Sequence, residues 1–265
     1  MKGALRARAG CAGPVESVPM VVPLARTLIV MPALNEEDSV AEVVREVHEK
    51  LPGVTCLVVD DGSTDRTAER AANAGAVVAS LPFNLGVGGA MRLGFVYALE
   101  NGFDNVVQVD ADGQHDPNSV LSLVAALSTN DIVLGARFAG EGDYAVRGPR
   151  RWAMVFLAAV LSRVAKTTLT DTTSGFRASG PKAVRLFAAH YPAEYLGDTI
   201  ESLVIAARSG CRIAQVPVSM RRRTTGTPSH NPIRSAVYLG RAGMALVFAL
   251  LRPPVVVAEK EIAVR

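Results

Sequence analysis

The chain has 265 residues, 49% of them hydrophobic and 20% charged, with a formal net charge of +3, enough for one generous domain with a substantial core and too apolar for a disordered chain. Its three cysteines, Cys11, Cys56 and Cys211, are scattered and form no CxxC pair, which argues against a disulfide framework or structural zinc and fits a reducing compartment. Aromatic residues make up only 5% and do not interleave with the arginine runs Arg150-Arg151 and Arg221-Arg222-Arg223, so no nucleic-acid surface is expected and phosphate or anionic lipid is the better partner for that charge.

Residues 1–26 carry Lys2, Arg6 and Arg8 but no continuous apolar stretch of the kind a secretory leader needs, and read as a loose extension. The first strand is Leu28-Ile29-Val30-Met31, closed by Pro32. A helix should follow with Asn35 at its N-cap, acidic Glu36, Glu37 and Asp38 in the first turn, and Val40, Val43, Val44 and Val47 on one face. The second strand, Leu57-Val58-Val59, runs into Asp60-Asp61-Gly62-Ser63 and a helix from about Asp65 to Gly75, in which Ser63 or Asp65 is the expected cap. Val77 to Ala79 makes a third strand. Asn84-Leu85-Gly86-Val87-Gly88-Gly89 then opens a helix through Leu99, and Val106 to Val109 form the strand before an acidic loop, after which Pro117 starts a helix. Beyond a fifth strand at residues 132–134 come a helix at 152–164, a loop at 171–177, a helix at 198–208 and a strand at 213–218. This alternation predicts an α/β fold with a mostly parallel central sheet and ligands gathered at the carboxyl ends of its strands. No apolar run reaches the roughly 18 residues of a spanning helix. The segment 242–251, between Arg241 and Arg252, suits an amphipathic interfacial helix or a core helix. The expected division is an extension (1–26), one catalytic domain (27–230) and an interfacial helix with tail (231–265).

Four polar or glycine-rich segments fall at the expected strand ends. The most informative is Asp110-Ala111-Asp112-Gly113-Gln114, a DxD motif with an added amide just past an apolar strand. Alternate residues of an extended segment point the same way, so Asp110, Asp112 and Gln114 are expected to offer hard oxygens to one Mg²⁺ or Mn²⁺. His115 is expected to be a loop residue rather than a ligand. Both Asp60 and Asp61 stand at a strand end, more than a cap needs, and a carboxylate there can accept hydrogen bonds from a base or ribose. The segment Gly86-Val87-Gly88-Gly89 is neither a Walker A loop nor a GxGxxG fingerprint. Thr170 to Arg177, with Ser174, suits a turn or the lining of an acceptor site. Asp198 and Glu201, three apart on a helix, share a face and are candidate general bases, although acids at a helix start also complement its dipole.

Taken in order, Pro32-Ala33-Leu34-Asn35-Glu36, Val58-Val59-Asp60-Asp61-Gly62-Ser63-Thr64-Asp65, Asn84-x-Gly86, Asp110-Ala111-Asp112 and Ser174-Gly175-Phe176-Arg177 form a combination more specific than any one element. By it the chain resembles family 2 glycosyltransferases of the GT-A fold, a Rossmann-like nucleotide-sugar-binding fold, over roughly residues 27–229. More closely it resembles polyprenyl-phosphate sugar synthases of the dolichyl-phosphate mannose synthase type. The resemblance implies metal-dependent, inverting transfer of mannose or glucose from a GDP- or UDP-sugar to a polyprenyl phosphate. It implies that Pro32, Asn35, Glu36 and Asp61 hold the nucleoside, with Asn84, Gly86 and Ala111 in the same nucleotide-sugar site, and that Asp110, Asp112 and Gln114 serve metal and diphosphate. Arg137 and Arg151, with Ser174, would grip the acceptor phosphate, and Arg223, within a basic loop containing Gly226 and Ser229, the donor diphosphate. An anionic acceptor makes a general base optional, which weakens the case for Asp198 and Glu201. The expected location is cytoplasmic, at the inner membrane face, with peripheral contact through residues 233–251 and Arg234, Arg241 and Arg252. Alternatives are a soluble acceptor, a sugar-nucleotide nucleotidyltransferase, or a non-catalytic nucleotide-sugar binding protein.

Overall fold

The structure, a computed structural model, describes residues 24–136, 149–192, 198–221 and 243, and for 149–154 and 198 the backbone alone. After a short 3-10 turn, the chain runs β1 (Thr27–Ala33), α1 (Val40–Lys50), β2 (Thr55–Asp60), α2 (Thr67–Asn73), β3 (Val77–Ser80), α3 (Gly86–Glu100), β4 (Asn105–Gln108) and α4 (Ser119–Ala126). It continues with β5 (Ile132–Ala136), α5 (Pro149–Ala165), β6 (Arg177–Ser179), α6 (Pro181–His190), α7 (Asp198–Arg208) and β7 (Ile213–Pro217).

The strands form one sheet in the order β3-β2-β1-β4-β6-β5-β7. Every neighbouring pair is parallel except those of β6, which runs antiparallel to β4 and β5. Helices cover both faces, so β1 is apolar from Leu28 onward and sends alternate residues each way. Leu28 and Val30 join Leu57, Val106, Ile132 and Leu134 under α3, α5, α6 and α7. Ile29 and Met31 join Val58, Val107 and Val133 under α1 and α4. Helix α3 lies unusually close to β1, because a Cβ on Gly94 would stand 2.5 Å from Val30 Cγ1. Cys56 and Cys211 are buried free thiols, and burial pushes them up to about 12 and about 11.

The parallel α/β expectation holds, and the departures from it have local causes. Asn35 is no N-cap: its φ is +54°, a left-handed conformation that asparagine tolerates, and α1 starts five residues later behind Ser39. Pro117 likewise lies in a turn before α4. Strand β6 and helix α6 were not expected. Three residues are too few to display a period, whereas α6 carries readable signals in Pro181 at its first position and Ala183, Val184, Leu186 and Phe187 on its buried side. No helix among the described residues is long and apolar enough to cross a membrane. The segment expected to be interfacial, 231–265, lies outside the described residues apart from Gly243.

Candidate functional site

Sheet order reverses direction between β1 and β4, so a crevice is expected at the carboxyl ends of these strands. The loops after β1, β2, β3 and β4 meet on that edge. Because β6 is antiparallel, the loop before it, residues 170–176, arrives on the same edge, with Arg177 opposite Gln108.

Three of these loops are knitted together by backbone donors and polar side chains. Asn35 accepts from the Thr64 N–H through Oδ1 at 2.9 Å, while its own N–H donates to Ser63 Oγ at 2.9 Å. The Glu36 N–H donates to Thr67 Oγ1 at 2.8 Å, and Ser39 Oγ donates to the Glu36 carboxylate at 3.0 Å. Pro32, half-buried near the end of β1, pairs in register with Val59. Asp61 is only 4% exposed and takes the Leu85 and Gly86 N–H groups on separate oxygens, at 2.7 and 2.8 Å. Asn84 Oδ1 accepts from the same Gly86 N–H at 2.8 Å. Asp61 thereby complements the N-terminus of α3 and fixes the β3–α3 loop against the end of β2. Asp60 is also buried, and its Oδ1 accepts the Ser63 N–H at 3.0 Å.

The N-cap of α2 is Arg66 rather than Ser63 or Asp65; Asp65, one residue earlier, accepts from the Thr67 N–H at 2.9 Å and from the Thr67 hydroxyl on Oδ1, and from the Glu37 N–H on Oδ2. Burial pushes the Asp65 carboxyl up, but the bonds from Thr67 and Glu37 outweigh it and hold the group below the ordinary aspartate range.

The acidic segment is a turn rather than the extended run expected, with Gly113 at φ +74°. Asp112 accepts the Gln114 N–H at 3.0 Å through Oδ1, and its Oδ2 faces the Gln114 side-chain Nε2. Asp110, Asp112 and Gln114 are half-buried, whereas Ala111 is buried against the α1 and α4 side of the core. Asp110 is braced on several sides. Gln108 Nε2 donates to its Oδ1 at 3.1 Å, its N–H donates to His115 Nδ1 at 3.0 Å, and His115 Nε2 lies 3.6 Å from its Oδ2. His115 is 3% exposed and stacks on Phe176, centroids 4.6 Å apart and planes at 12°. Gly175 presses on the same place: a Cβ there would stand 2.9 Å from Gln108 Nε2 and 3.4 Å from an Asp110 oxygen.

Ser174 is buried behind this contact, and its hydroxyl has no hydrogen-bond partner among the described residues. Its carbonyl accepts from Arg177 Nη2 at 2.9 Å, and Arg177 Nη1 reaches Ser202 Oγ on α7 at 3.0 Å. Glu201 is buried on that helix. Arg137, Arg223, Gly226 and Ser229 lie outside the described residues, as do the side chains of Arg151 and Asp198.

Among the described residues no three His, Cys, Asp or Glu side chains are gathered as a metal cage. The chemistry of two half-exposed carboxylates and an amide would suit a hard divalent ion that keeps water and substrate oxygens in its shell. Sequence reasoning missed the braces, Gln108, Gly175 and Phe176, together with the supporting part of His115. Only the adjacency of Gly175 and Phe176 to Ser174 within one motif pointed toward them.

Residues 28–187 match the family model described as Glycosyl transferase family 2. The chain is 31% identical to an undecaprenyl-phosphate mannosyltransferase from Micrococcus luteus, over 76% of this chain and 86% of that protein. It is 29% identical to a polyprenol monophosphomannose synthase from Mycolicibacterium smegmatis, over 85% of this chain and 89% of that one. Among solved structures it is similar to glucosyl-3-phosphoglycerate synthase from Mycobacterium tuberculosis in complex with Mn²⁺, UDP and phosphoglyceric acid. There the TM-score is 0.66 and the identity 26%, covering 86% of this chain and 79% of that chain.

Proposed function

Because the chain belongs to glycosyltransferase family 2, we propose that it moves a hexose, mannose or glucose, from a GDP- or UDP-sugar to a polyprenyl phosphate, inverting the anomeric carbon. The observation that carries this reading is the placement of the acidic turn, at the end of β4, on the same sheet edge as the interlinked loops of Asn35, Asp61 and Asn84 and against the loop of Ser174 and Gly175. The names of the mannosyltransferase and mannose synthase relatives support the polyprenyl acceptor and the mannosyl group.

In this reading the wall built by Pro32, Asn35, Glu36, Asp61, Asn84 and Gly86 receives the nucleoside, and Asp110 and Asp112 face the diphosphate, with Ala111 between them contributing only its backbone because its side chain is buried in the core. Asp110 and Asp112 would hold Mg²⁺ or Mn²⁺, with Gln114 contributing through its amide oxygen once that amide turns from Asp112. Bound there, the ion supplies Lewis-acid neutralisation of the departing nucleoside diphosphate. Arg223 assists on the diphosphate, while Arg137 and Arg151 grip the acceptor phosphate beside Ser174. A phosphate nucleophile is already anionic, so Asp198 and Glu201 need abstract no proton. The catalytic unit spans residues 27–230, and residues 231–265 give peripheral contact at the cytoplasmic face of the membrane.

The test offers radiolabelled GDP-mannose, GDP-glucose, UDP-glucose and UDP-mannose with Mn²⁺ and either a short polyprenyl phosphate or phosphoglyceric acid. Label extracted into organic solvent is the expected result. Transfer only to the water-soluble acceptor would refute the lipid assignment. Asp112→Ala should abolish transfer while leaving the melting transition intact, and unchanged turnover would sink the metal role.

A further inference from the structure

The segment leaving β7 returns across the acidic turn. Met220 pairs with His115 as an isolated antiparallel bridge, and the Arg221 N–H donates to the Gln114 carbonyl at 2.9 Å. The Arg221 guanidinium then spans to α1, where Nη1 and Nη2 each meet one oxygen of Glu46 at 2.7 Å. Nη2 also donates to Asp116 Oδ1 at 3.3 Å. A two-pronged pair of this length, shared with a second carboxylate, is unlike the loose surface pairs that contribute little. It also joins parts of the chain that β7 alone would not bring into register. Glu46 is on α1, Asp116 closes the acidic turn, and Gln114 lies between them and the carboxylates of that turn.

We propose that Arg221 is a positioning residue for the acidic turn, clamping Gln114 and Asp116 to Glu46 of α1 so that Asp110 and Asp112 keep their spacing. This rests on reading that turn as the cation and diphosphate site. It separates the members of the arginine run. Both Nη groups of Arg221 are committed to carboxylates, so it steadies the turn and leaves diphosphate contact to a later arginine. The clamp also offsets a local excess of negative charge, since Glu46 and Asp116 approach the same guanidinium and would repel each other without it.

The experiment compares the full chain with Arg221→Ala, Arg221→Lys, Glu46→Gln and the Arg221→Ala/Glu46→Gln double variant. Arg26→Ala serves as the control, removing an exposed 3.0 Å pair with Asp104. One readout needs no metal: hydrogen exchange of the amides of residues 110–118. The other is Mn²⁺ binding in the presence of GDP or UDP, followed by the spin-resonance signal of free Mn²⁺. Arg221→Ala and Glu46→Gln should speed exchange in 110–118 and raise the half-saturating Mn²⁺ concentration about tenfold, as loss of a supporting partner does at metal sites. In transfer assays that concentration should rise by more than kcat falls. The double variant should be no worse than the worse single one. Arg221→Lys, with one ammonium for two carboxylates, should fall between, and Arg26→Ala should match the parent. Unchanged exchange and Mn²⁺ binding in a folded Arg221→Ala protein, or additive losses in the double variant, would overturn the clamp. Failure of the metal reading shows separately, as Mn²⁺ binding that Asp112→Ala leaves intact, and the exchange data then still decide whether Arg221 holds the turn.

Discussion

Gly175→Ala puts one methyl group where the loop before β6 meets the acidic turn. Its Cβ would stand 2.9 Å from Gln108 Nε2 and 3.4 and 3.5 Å from the two Asp110 oxygens. Ordinary carbon contacts begin near 3.5 Å, so the amide must retreat by roughly half an ångström. Gln108 is buried in β4 and already reaches Asp110 Oδ1 across 3.1 Å. That retreat stretches the bond past useful length. The cost combines overpacking, about 1–3 kcal/mol, with partial loss of a hydrogen bond to a charged group, which alone is worth about 1.5–3 kcal/mol. Since the amide moves instead of being deleted, only part of the bond's value adds to the overpacking, a net loss of about 2–4 kcal/mol is expected, and a domain of this size loses about 2–4 °C of melting temperature per kcal/mol. The site should suffer more than the fold, because Asp110 loses its brace toward β4. Thermal melting and Mn²⁺ titrations of transfer check both parts, with half-saturation expected to rise about tenfold. Removing the clash in Gly175→Ala/Gln108→Ala should return at most the overpacking share of the melting temperature and should not recover metal dependence, since the brace is then absent altogether. A Gly175→Ala protein with parental melting and parental Mn²⁺ dependence would refute the reasoning.

At the opposite face, Gly94→Ala drives a methyl to within 2.5 Å of Val30 Cγ1, and about 1–3 kcal/mol of destabilisation is expected by denaturant titration. Val30→Ala in the same chain should return part of it, which an effect of helix propensity alone would not do. For Asp65 the sign follows from a folded-state pKa held below the ordinary range. Its contribution is present in full above the unfolded-state value and disappears as pH falls through the folded one. The melting-temperature gap between parent and Asp65→Asn should therefore be constant near neutrality and shrink at the acid end; a gap that widens there contradicts the assignment.

Strands β1, β2, β4 and β5 were legible because each centres on β-branched and aliphatic residues buried in the sheet, whereas the edge strands β3 and β7 are only partly buried and were legible from short apolar runs alone. Periodicity has nothing to say about a three-residue strand, and β6 was missed for that reason, yet its antiparallel course is what delivers Gly175 and Phe176 to Asp110 and His115. The motif residues were visible as a set, but their manner of acting was not. The alternation that placed Asp110, Asp112 and Gln114 on one extended face fails because Asp112 folds the chain back onto the Gln114 N–H. Asn35 looked like a helix cap because its acidic neighbours suit a helix start, whereas its left-handed backbone turns its side chain to the β2 loop. In both cases a short polar side chain satisfied nearby backbone groups outside regular structure, a choice decided by tertiary partners such as Thr64 and Ser63. The same physics separates Arg221 from its neighbours. Adjacent arginines are indistinguishable as a charge run, and only the carboxylates of Glu46, 175 residues away, and Asp116 give the first of them a fixed task.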